Sequence, residues 1–179
     1  MLVIKNFFLI FLLAFPTISY SKILPSDIIG KWDCVVPLTD DGVRVKEQLN
    51  IFPDNTFHGI RQQTVPLIVN LEDGSLFPIS FNYKFETSGK WKLLKGKFVV
   101  YEYVPKNIST EHDPYIQKWL ENPPEWITKA GADLKTADKL TQLTLSMPIE
   151  KPMNFDIRIQ KDMMKLTAHA SELCQRIKD

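Results

Sequence analysis

Apolar and polar residues alternate most cleanly over 77–86, where Phe77, Ile79, Phe81, Tyr83 and Phe85 interleave with Pro78, Ser80, Asn82, Lys84 and Glu86. A period of two places one set on a single face of an extended chain, so this segment predicts a half-buried strand. The same period sets Trp32, Cys34 and Val36 against Lys31 and Asp33 in an earlier strand. Over 43–52, Val43, Val45, Leu49 and Ile51 share a face. Pro53-Asp54-Asn55 then supplies turn residues ahead of a second strand over 56–60, which predicts a hairpin. Further strands are expected over 66–71, 89–93, 97–104, 140–147, 155–160 and 164–168.

The texture changes over about 113–135. Asp113 followed by Pro114 reads as a cap with proline at the first helical position, and Tyr115, Ile116, Trp119 and Leu120 recur at helical spacing. Asn122-Pro123-Pro124 stops that helix, and Trp126, Ile127, Ala130 and Leu134 outline a second. About ten short strands joined by tight turns imply a mainly β fold. The expected architecture is an antiparallel meander forming a barrel or half-barrel, with a two-helix insertion before the last three strands.

Lys5, an apolar run over 7–15, and small residues at Ser19 and Ser21 read as a cleavable export signal over 1–21. The run is shorter than the roughly 20 residues a membrane span needs, so no transmembrane segment is expected after cleavage. The remainder, 22–179, reads as one domain exported to the periplasm or the extracellular space. With 22 basic and 21 acidic residues and no dense Lys/Arg cluster, nucleic acid is excluded as a partner. Cys34 and Cys174 are the only cysteines. In an oxidising compartment they are expected to pair, closing a loop of about 140 residues and removing roughly 5 kcal/mol of unfolded-chain entropy.

Gly30-Lys31-Trp32 in the first strand, the meander, and a cysteine near each end resemble the lipocalin and lipocalin-like (calycin) group. The resemblance implies a barrel that binds a small ligand. It also implies a basic side chain from the end of the chain, Arg176, lying over the first-strand tryptophan.

No nucleophile elbow, phosphate loop or metal motif occurs, so no catalytic residue, metal or cofactor is expected. His58, His112 and His169 are scattered and read as surface or turn residues. Glu47 falls on the apolar face with Val45 and Leu49, and a buried carboxylate needs a partner. A three-residue hairpin loop would pair it with Arg61, and a four-residue turn would put Gln62 opposite. That pair reads either as a structural ion pair or as a ligand grip. Trp32, Glu47, Arg61, Phe81, Tyr83, Phe85 and Trp91 form a candidate pocket, with their aromatic members either a packed core or a cavity wall. Tyr115, Trp119 and Trp126 form a candidate lid or partner surface, or the faces that dock the helices. The expected function is non-enzymatic binding of a small apolar or amphipathic ligand. The other reading is binding of another exported protein, as an inhibitor or toxin-immunity protein does. Asn107-Ile108-Ser109 is a glycosylation sequon, relevant only in a eukaryotic source.

Overall fold

The computed structural model describes residues 22–37, 39, 42–168 and 170–178; the expected export signal over 1–21 and His169 lie outside them. Among the described residues the chain runs through a short helix α1 (Pro25–Ile28), then β1 (Gly30–Val36), β2 (Arg44–Ile51), β3 (Thr56–Asn70), β4 (Leu76–Leu94) and β5 (Lys97–Thr110). Three helices follow, α2 (Pro114–Glu121), α3 (Glu125–Lys129) and α4 (Leu134–Ser146). The chain then continues through β6 (Met153–Gln160), β7 (Met163–Thr167) and β8 (Ser171–Arg176). Every neighbouring pair is antiparallel, and β8 returns to β1, so the meander closes into a barrel-like ring of eight strands.

The strand count differs from the expected ten for three reasons. The segments 56–60 and 66–71 belong to one strand, β3, and 77–86 and 89–93 to another, β4, because both chains stay paired to each other through the polar stretch between. The segment expected as a strand over 140–147 is helical as far as Ser146. Asp133 caps α4 by accepting the Thr136 N–H at 3.0 Å, while the Thr141 and Thr144 hydroxyls donate to the carbonyls of Ala137 and Leu140 at 2.9 Å. Those bonds let β-prone threonines sit in a helix whose Leu134 is buried. Finally, β8 is a polar-looking strand that only its pairing with β1 and β7 reveals. The insertion therefore carries three helices rather than two and extends to Ser146, though three strands still follow it.

The first hairpin follows the three-residue loop. Asn55 takes φ +66, Asp54 accepts the Thr56 N–H and hydroxyl, and the register pairs Ile51 with Phe57, Leu49 with Gly59 and Glu47 with Arg61.

Two apolar cores result. Inside the ring, Trp32, Trp91 and Phe98 pack with Ile51, Phe57 and Met164, and Trp91 stacks on Phe98 with ring centroids 5.7 Å apart. Beyond the ring, the long β3–β4 pair continues past the start of β2, and the helices cover it. There Val69, Ile79, Phe81, Tyr83 and Phe85 pack with Ile116, Ile127 and Leu134.

The seam between β1 and β8 joins the two ends of the domain. Cys34 faces Cys174 and the two are disulfide-bonded, while Trp32 faces Arg176. The Arg176 guanidinium lies 4.2 Å from the centre of the Trp32 ring and donates to the carbonyls of Ile29, at 2.7 Å, and Asp27. Trp32 is fully buried and donates its indole N–H to Ile28 O at 2.8 Å. Gly30 makes room for this arrangement: it sits at φ +136, and a Cβ there would stand 2.7 Å from Arg176 Nη1. The Gly-x-Trp pattern thus has a steric reason.

Two outcomes are expected. Cys34→Ser should cost about 2–5 kcal/mol, read as a lowered denaturation midpoint under oxidising conditions, and an unchanged midpoint would show that the bond does not brace the ring. Arg176→Ala should cost about 2–3 kcal/mol, from the lost indole contact and two carbonyl bonds, with Arg176→Lys intermediate. Thermal melting at matched concentration measures both, and equal melting of all three proteins would refute the capping role.

Candidate functional site

The residues expected to line one pocket are divided by the fold. Trp32 and Trp91 belong to the core inside the ring, whereas Phe81, Tyr83 and Phe85 belong to the core under the helices. Glu47 and Arg61 face inward from β2 and β3. All five aromatics are buried, so they pack as core side chains.

Glu47 and Arg61 are joined by three residues that the pattern did not single out. Thr87, from β4, donates its hydroxyl to Glu47 Oε1 at 2.6 Å. Arg61 Nη1 lies 3.7 Å from Glu47 Oε2 and donates to the Tyr103 hydroxyl of β5 at 3.3 Å. Gly59 leaves space for the first of these bonds, because a Cβ there would lie 2.5 Å from both Glu47 Oε1 and Thr87 Oγ1. Tyr103 points inward because Glu102, at φ +54, shifts the alternation of β5 where its register with β4 slips.

Glu172 of β8 completes this polar layer. Its carboxylate lies within 4.8 Å of the sulfurs of Cys34 and Cys174, although the disulfide already occupies both sulfurs. Glu172 Oε1 and Arg61 Nε are buried without a hydrogen-bond partner. Burial, reinforced by the negative charge of Glu47 and only partly offset by Arg61, pushes the Glu172 carboxyl up to about 7. Burial opposes the charge on Arg61, but Glu47, Tyr103 and Glu172 around it hold its guanidinium above the usual value.

A second polar group ties the helices to the sheet. His112 is buried; its Nδ1 accepts the Asn82 N–H at 3.0 Å, and its Nε2 lies 3.0 Å from Asp138 Oδ1. It is therefore not a surface histidine. Because Nδ1 accepts, the ring proton sits on Nε2 and points at Asp138. The same Asp138 oxygen accepts the Tyr83 hydroxyl at 2.7 Å, and Gln142 donates to the other at 2.9 Å. Burial and the bond to Asp138 raise the Tyr83 phenol above its ordinary value. With both ring nitrogens engaged, His112 fastens β4 to α4. His58 is exposed and lies 3.6 Å from Glu86. An open cleft of about 550 Å³ adjoins the fastener, lined by Thr110, His112, Gln117, Glu121, Asp138 and Gln142. A smaller recess of about 330 Å³ lies at the other end, beside Asp27, Ile159 and Arg176. Neither is lined by the aromatic residues of the expected pocket.

Tyr115, Trp119 and Trp126 meet at the far end of the molecule. Trp119 packs edge-on against Tyr115 at 5.2 Å and against Trp126 at 5.6 Å, and Trp126 packs against Phe77 of β4 at 4.8 Å. The two tryptophans dock the helices onto the β3–β4 extension, while Tyr115 is 51% exposed beside them.

Glu172 gives the polar layer a pH signature. Between its ordinary 4.5 and about 7 the folded protein holds a proton that the unfolded chain has released. This contribution is complete below about pH 4.5 and is lost as pH rises through 7, by up to about 3 kcal/mol. Glu172→Gln should flatten the stability curve across that window, measured by urea denaturation at several pH values, and an unchanged slope would remove Glu172 as its source. No protein-family model matches the chain and no curated protein is significantly similar to it, so the packing and chemistry of these groups carry the functional reading alone.

Proposed function

We propose that this chain is an exported, non-enzymatic binding protein of lipocalin-like fold, and that its partner is another exported protein held at the aromatic end. The fold assignment is supported by the closed eight-stranded meander, the bonded cysteines near its ends and Arg176 over Trp32. Export is supported by the disulfide, which fits an oxidising compartment. A non-catalytic role is supported by the engagement of both nitrogens of His112 and by a disulfide that occupies both sulfurs.

The observation that carries the protein partner is the joined cluster of Phe77, Tyr115, Trp119 and Trp126. Tyr115, half exposed, presents its apolar surface to solvent. Rigid aromatic anchors of this kind dominate the energetics of protein interfaces. A small-molecule ligand is the second reading. It is favoured by the cleft beside His112, whose size falls in the range of ligand pockets although its walls are largely polar.

Native mass spectrometry of the protein purified from its own cell envelope separates the two. A stoichiometric protein partner is expected, and Tyr115→Ala should remove it while leaving the melting curve nearly unchanged. An added mass of a few hundred daltons, with no protein bound, would overturn this reading in favour of the small ligand.

A further inference from the structure

β3 and β5 both outrun the ring, so each has an edge that its ring neighbour abandons. β6 pairs with β5 only over 97–100, and beyond that Ile149 bridges Tyr103. The remaining edge of β5 is blunted: Pro105 has no N–H to offer, and Asn107 at φ +52 breaks the extended line where the register with β4 shifts. The edge of β3 is different. β2 pairs with it as far as Arg44 opposite Thr64, and Gly42 closes on Pro66, where a Cβ would stand 2.9 Å from Pro66 Cγ. Over 67–70 no described residue pairs with that edge.

Alternation shows which backbone groups are left. Phe52 N–H bonds to Thr56 O at 2.9 Å at one end of β3, and Leu71 N–H bonds to Ser75 O at 2.9 Å at the other. Even-numbered residues of β3 therefore turn their N–H and C=O towards the β2 side, and odd-numbered residues towards β4. Ile68 and Asn70 are the two whose backbone groups face the abandoned side. Ile68 is itself 51% exposed, and Leu76, opposite Asn70, shares its face of the sheet. This is a short apolar edge with no lysine and no proline after Pro66, so its outward N–H and C=O groups are open to an added strand. Glu72 and Asp73, both exposed, follow directly in the turn.

We propose that the edge of β3 over 67–70 takes an extended segment of the partner protein by strand addition, and that this segment is apolar at alternate positions with a Lys or Arg at its N-terminal end. An antiparallel strand places that end opposite Asn70, where the basic side chain meets Glu72 and Asp73. The assignment rests on the protein-binding reading above and names how that partner is held.

The test uses the full disulfide-bonded chain and a fluorescein-labelled peptide, Lys-Lys-Val-Thr-Ile-Thr-Val. Saturable binding by anisotropy is expected, with slowed hydrogen exchange at the Ile68 and Asn70 amides. Ile68→Pro, which removes an outward N–H that an edge strand can spare, should weaken binding at least about tenfold, whereas Ile68→Thr keeps the backbone donor and should stay within about threefold. Replacing the two lysines of the peptide by glutamates should weaken it as well. No saturable binding to the unmodified chain, exchange protection elsewhere, or unchanged binding to Ile68→Pro would each overturn the proposal. A co-purified partner that is lost with Tyr115→Ala but withstands Ile68→Pro would overturn the edge alone and leave the protein-binding reading standing.

Discussion

The seam between β1 and β8 is the contact on which the rest of the molecule depends. It joins residues separated by 140 positions in sequence, and without it both strands would be bare edges. Two interactions hold it together at successive inward positions, with a carboxylate beside them. The indole of Trp32 is sandwiched between the core and the Arg176 guanidinium, the disulfide spans the middle, and Glu172 stands beside the sulfurs. Arg176 also reaches past the seam to the carbonyls of Asp27 and Ile29, so the segment ahead of the first strand is tied to the last. A guanidinium suits this place because it can stack on an aromatic face and donate in its own plane at once.

Polarity is layered along the ring. One end is a dry aromatic core around Trp32, Trp91 and Phe98, and the level above it holds Glu47, Arg61, Tyr103, Thr87 and Glu172. Placing charges there is costly unless they are paired, and the pairing is incomplete, since Arg61 Nε and Glu172 Oε1 have no partner. Burial, with the charge of Glu47 beside it, raises the Glu172 carboxyl and so eases the cost of a charge in a desolvated site. The interior of the ring is thus occupied by side chains.

That extension follows from unequal strand lengths. β3 and β4 continue beyond the point where β2 begins, so their inward face leaves the ring and must find another cover. α2, α3 and α4 provide it through Ile116, Ile127 and Leu134, and the His112–Asp138–Tyr83 group fixes α4 in place. Aromatic residues that read as a barrel interior are therefore the floor beneath a helical cap. The outermost aromatics are only partly covered, which leaves Tyr115 exposed beside the two tryptophans that dock the helices.

Alternation alone was enough to place Trp32 and Cys34 inward and to orient Phe81, Tyr83 and Phe85. The turn chemistry of Pro53-Asp54-Asn55 was enough for the register that sets Glu47 opposite Arg61. These are local properties: a period of two and a short loop fix which side chains share a face before any tertiary contact exists. The helix over 134–146 was not legible, because threonine propensity favours a strand and only capping by Asp133 with burial of Leu134 reverses it. Tyr103 was hidden by the bulge at Glu102, and Glu172 by a strand too polar to stand out until β1 and β7 flank it. Whether the inward aromatics formed one core or two lay beyond any pattern as well. It depends on where β2 stops beside β3, and the end of a strand pairing is decided by long-range closure of the ring rather than by the residues of either strand.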